Sequence, residues 1–118
     1  MRVTSSLWVD ALIRRCGSHA VPVYVAKRGA AEAGAIFVRV DFEDRLSDLY
    51  GPAPQAFFDD DTSNMDRRFE RVLERADGLA VMEYIEKQKK FDSDIWIVDI
   101  EYRRDWPVDQ IGLETDNA

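Results

Sequence analysis

Apolar positions along the chain change period several times, and each change predicts an element. Trp8, Ala11, Leu12 and Cys16 fall at i, i+3, i+4 and i+8, a buried helical stripe. Ser5 or Ser6 can cap that helix, and Gly17 supplies its stop after Arg14-Arg15. Period two then takes over. Val21, Val23 and Val25 alternate with Pro22, Tyr24 and Ala26, and Ile36, Val38, Val40 and Phe42 alternate with Phe37, Arg39 and Asp41. The turn at Glu43-Asp44 leads into a hairpin partner, Leu46 to Tyr50, which Gly51-Pro52-Ala53-Pro54 ends.

From Arg67 to Ala76 the pattern supports either helix or strand: Phe69, Val72, Leu73 and Ala76 have helical spacing, yet the region also reads as a twisted strand. Asp77-Gly78 ends it. A second helix follows from Leu79 to about Lys89, with two candidate buried stripes. One is Leu79, Met82 and Ile85; the other is Val81, Tyr84 and Ile85. In the final strand Trp96, Val98, Ile100 and Tyr102 face one way, Ile97, Asp99, Glu101 and Arg103 the other. The expected fold is α+β, a small mostly antiparallel sheet of four to five strands with two helices packed on one side. Residues 1–107 are expected to form a single domain, and 108–118 a polar, partly disordered tail.

Composition narrows the chemistry. Sixteen Lys+Arg against 23 Asp+Glu give a net charge of −7 over 118 residues, unsuited to holding nucleic acid or anionic lipid by charge. A single cysteine, Cys16, excludes an intrachain disulfide, and with the single histidine, His19, it excludes a zinc site of four Cys/His ligands. No signal-like apolar run or membrane-length segment is visible, so a cytoplasmic location is expected.

Several blocks occur together in order: Ser6-Leu7-Trp8-Val9 with Arg14-Arg15, Ala33-Gly34-Ala35-Ile36-Phe37-Val38, Tyr50-Gly51-Pro52-Ala53-Pro54, and Phe91 through Glu101. From about Arg2 to Arg104 the chain resembles a small proteobacterial family, domain of unknown function 1491. The resemblance implies a compact single-domain cytoplasmic protein and brings no activity, cofactor or catalytic set with it.

Five groups of residues suggest chemistry. Asp99 and Glu101 share a strand face about 7 Å apart and could hold Mg²⁺, or pair with Arg39, Lys27 or Arg103. Lys27, Arg28 and Gly29 open a glycine-bounded turn that could cradle an anion, or simply connect two strands. The run from Asp59 to Glu70 has the ligand spacing of a calcium loop but lacks its glycine, and reads as a solvated acidic loop. Cys16 and His19 read as a buried thiol and a surface imidazole; Arg67, Arg68 and Arg71 around Phe69 read as a mixed-charge face. Tyr50, Pro52, Pro54, Phe57 and Phe58 combine a stiff turn with aromatic surface suited to a protein partner, or else Phe57 or Phe58 folds back to close the end of the sheet.

These features favour a non-enzymatic interaction module with a protein partner and no cofactor. The alternative is a metal-dependent hydrolase or nuclease using Asp99 and Glu101, helped by Asp48 or Lys27. Open sheet edges allow a homodimer, although no residue pattern requires one.

Overall fold

A computed structural model of the chain describes residues 3–54 and 67–103. Helix α1 (Ser5–Gly17) is followed by strands β1 (Val23–Lys27), β2 (Ile36–Asp41), β3 (Ser47–Pro52) and β4 (Phe69–Ala76), then helix α2 (Gly78–Phe91) and strand β5 (Trp96–Glu101). The cap of α1 lies one residue earlier than the sequence suggests. Thr4 Oγ1 accepts the Leu7 amide at 3.1 Å, which frees Ser5 to turn inward. Asp77 caps α2 in the same way, accepting from the Ala80 amide at 2.8 Å.

The five strands form one sheet in the order β1-β5-β2-β3-β4. Neighbours are antiparallel except β5 and β2, which run parallel with Val38 beside Val98. A parallel pair cannot be joined by a hairpin, and here β3, β4 and α2 intervene. The last strand thus ends in the middle of the sheet. Its apolar run fits that place, with Trp96, Ile97, Val98 and Ile100 all buried.

Alternation along the strands builds two cores. Ile36, Val38 and Val40 join Trp96, Val98, Ile100, Tyr50 and Phe69 on one face, where α1 contributes Val9, Leu12 and Cys16. Phe37, Leu49, Ile95 and Ile97 lie on the other, with Val72, Leu73 and the α2 residues Tyr84 and Ile85 against them. The helices therefore pack on opposite faces, which corrects the expectation of both on one side. A strand such as β2 that is apolar at consecutive positions needs cover on both faces.

Strand β4 settles the ambiguous segment. Its register against β3 slips twice, from Ser47↔Ala76 to Leu49↔Leu73 and then to Tyr50↔Arg71, each step taking one extra β4 residue. The extra residues let adjacent Val72 and Leu73 share a core while Phe69 reaches the opposite one. A doubly bulged strand thereby imitates helical spacing. Among the described residues no helix is long and apolar enough to cross a membrane.

Candidate functional site

The strand carboxylates lie beside one another with cations among them. Arg39 neighbours Asp99 across the parallel pair, and Asp41 neighbours Glu101. Arg39 Nε lies 2.8 Å from Asp41 Oδ1, which also accepts the Ser47 hydroxyl at 2.7 Å. Glu101 turns to Arg103, at 3.7 Å. Asp48 sits beside Val40, on the opposite face, where its Oδ1 accepts the Arg75 amide at 2.7 Å. Among the described residues no three His, Cys, Asp or Glu side chains converge on a point where a metal could bind. Arg39 on Asp41 and Arg103 on Glu101 are cations that would compete with a divalent ion for these carboxylates.

Asp99 is the exception to this pairing. Its Oδ1 is buried and lacks a hydrogen-bond partner among the described residues. Burial first, and then the Asp41 charge, push its carboxyl above the ordinary range, against the pull of Arg39. A raised folded-state pKa means that the acid form suits the fold and that ionisation costs stability as pH rises through that value. Asp99→Asn should therefore raise the thermal midpoint at neutral pH, with the gain fading toward about pH 3. A lower midpoint for the variant at pH 7, measured by circular dichroism, would show that the carboxylate is stabilising.

The Lys27-Arg28-Gly29 turn is a structural clasp. Lys27 Nζ donates to the carbonyls of Ser93 at 2.8 Å, Ile95 at 2.9 Å and Arg28 at 3.3 Å, which uses all three ammonium donors. Arg28 lies over the Trp96 ring, 4.8 Å from its centroid. Further along the loop, Ala30 N donates to Asp94 O, while Ala31 and Glu32 carbonyls accept the Ser6 and Ser5 amides that begin α1. Of the cations expected to attract an anion here, Lys27 has its ammonium donors engaged by the fold, and the loop presents carbonyls to the helix start.

Tyr50 is also corrected as a partner contact: it is 1% exposed and belongs to the α1-side core. Pro52 and Pro54 are on the surface, whereas Phe57 and Phe58 lie outside the described residues, as does the Asp59-to-Asn64 loop. Glu70, the twelfth position of the calcium-like spacing, is in β4. Cys16 is buried and its thiol is pushed up to about 11, chiefly by desolvation, so it is no nucleophile at neutral pH.

The surface feature that sequence reasoning left undecided is on α2. Val81 is fully buried, and Tyr84 and Ile85 pack on the sheet, with the Tyr84 ring 6.4 Å from that of Phe37. Of the competing stripe, Ile85 is shared with the buried one, and Leu79 and Met82 face solvent, 61% and 53% exposed. Both stripes were visible as apolar periodicity; only the sheet decides which one turns inward. Glu83, Glu86, Lys87 and Lys90 are the exposed charges that follow Leu79 and Met82 along the helix.

A family model described as "Protein of unknown function (DUF1491)" matches residues 3–108. The solution structure of protein Atu0922 from A. tumefaciens is similar at 40% identity, with a TM-score of 0.81, covering 99% of this chain and 98% of that one. A crystal structure of a DUF1491 family protein from Caulobacter crescentus CB15 is similar at 30% identity and a TM-score of 0.69, covering 87% and 89%. An NMR structure of a DUF1491 family protein from the same organism gives the same identity and TM-score over 88% and 89%. No curated protein matches the chain.

Proposed function

The chain belongs to the DUF1491 family of proteins of unknown function, and from its own surface we propose that it is a non-enzymatic protein-interaction module whose contact face is the outer side of α2. The observation that carries this reading is the pair of large apolar side chains, Leu79 and Met82, exposed one helical turn apart on a helix whose other side already serves the core. A helix with one polar face needs apolar residues on one side only. Apolar residues on a second side contribute little to the fold and suit a partner that removes them from water.

The test compares tagged wild type with Leu79→Gln/Met82→Gln, isolated from extracts of the native cell after nuclease treatment. Glutamine keeps helix propensity close to that of leucine and methionine, so the change acts mainly on the surface. The wild type is expected to retain a stoichiometric protein partner, counting an untagged copy of this chain as one, and the variant to lose at least about nine-tenths of it. Equal recovery by both proteins would rule out this face.

A further inference from the structure

We infer that a cleft beside the β2–β3 turn takes the guanidinium end of an arginine side chain from a protein partner. Phe42, Glu43, Asp44, Arg75 and Tyr102 line the cleft, and its volume is about 230 Å³. Small-molecule sites usually hold about 300–1,000 Å³, so this smaller cleft suits the end of one side chain. Phe42 and Tyr102 pack against the α1-side core, on the sheet face opposite α2. The cleft is therefore separate from the contact face argued above, and its failure would leave that face untouched.

Backbone bonds place both rings. Phe42 N donates to Leu46 O at 2.9 Å within the turn, and Tyr102 N donates to Asp41 O at 2.8 Å. The ring centroids then lie 5.0 Å apart. A guanidinium of the chain itself already uses half of this arrangement: Arg75 lies over the Phe42 ring, 4.7 Å from its centroid, and pairs with Asp44. Its backbone is held too, since the Arg75 amide donates at 2.7 Å to Asp48, a buried carboxylate. The other half is one ring and one carboxylate. Among the described residues Tyr102 has no cation over its ring, and exposed Glu43 has no ion-pair partner.

Two carboxylates against one guanidinium leave the lining one positive charge short of neutral, and the net charge of −7 favours a cation from further away. Arginine suits the place better than lysine. Its weakly hydrated plane can lie on an aromatic face while its edge meets a carboxylate. An anion suits it worse, because Arg75, the cation in the lining, is already paired with Asp44.

The test is an NMR titration of the full chain with N-acetylarginine amide, using N-acetylcitrulline amide as the uncharged control. The arginine probe should give saturable shifts at the amides of 42–44, 75 and 102, with a dissociation constant of about 1–20 mM, and the citrulline probe none. Glu43→Gln, at an exposed position, should weaken binding at least about threefold. Arg75→Met keeps the amide that Asp48 holds but releases Asp44 and the Phe42 ring and removes a like charge, so it should tighten binding at least about threefold. The spectrum of each variant checks its fold. No saturable shift up to about 50 mM, equal shifts from citrulline, unchanged binding by Glu43→Gln, or weaker binding by Arg75→Met would each overturn the assignment.

Discussion

Gly29→Ala should cost more than about 3 kcal/mol and leave little of the native state, for a domain whose whole stability is about 5–15 kcal/mol. A Cβ at position 29 would lie 2.2 Å from the Asp94 carbonyl oxygen and 2.6 Å from the Ile95 carbonyl carbon. Both are backbone atoms in the segment entering β5, so no side-chain rotation relieves the clash. Moving the loop away would break the 2.9 Å bond from Ala30 N to Asp94 O. It would also withdraw the carbonyl that accepts Trp96 Nε1 at 2.8 Å and the two that receive the first amides of α1. The substitution thus reaches the central strand and the first helix together. Gly17→Ala is the control, since nothing lies within 4 Å of its added methyl, and should shift stability by less than about 1 kcal/mol. Guanidinium unfolding of the two variants checks this. A Gly29→Ala protein within about 1 kcal/mol of wild type would refute the clasp.

Trp96→Ala should be comparably damaging, at about 3–5 kcal/mol. Trp96 is the largest fully buried side chain among the described residues and stands at the start of β5, an interior strand between β1 and β2, in the α1-side core. Its indole also supports the Arg28 guanidinium and donates to Ala30, so it fastens the clasp from below. Trp96→Phe separates the two roles. It keeps an aromatic body but leaves the Ala30 carbonyl without that donor, and should cost about 1–3 kcal/mol. Equal losses for the Phe and Ala variants would mean that the hydrogen bond, not the packing, dominates.

The elements were legible in proportion to how local their causes are. Alternation from Ile36 to Phe42 and from Trp96 to Tyr102 gave both strands and the faces of their side chains correctly, because pleating follows from the backbone alone. The order of the strands was not legible. Nothing local in the β5 sequence says that it inserts beside β2, although its unbroken apolar core was compatible with a central place. Bulges hid β4, since two extra residues convert a period of two into i, i+3, i+4. The role of Lys27 was hidden for a similar reason: its donors looked free until Ser93 and Ile95, distant in sequence, supplied the acceptors. On α2 the sequence offered two stripes and the sheet chose one, leaving Leu79 and Met82 outside.

The unfolding free energy of Leu79→Gln/Met82→Gln tests that division of labour on α2. If the outer stripe serves a partner and the inner one the fold, the double variant should unfold within about 1 kcal/mol of wild type, while Val81→Ala, which empties a fully buried site, should lose about 2 kcal/mol or more. A loss of about 3 kcal/mol in the double variant would mean instead that Leu79 and Met82 themselves hold the domain together and are not reserved for a partner.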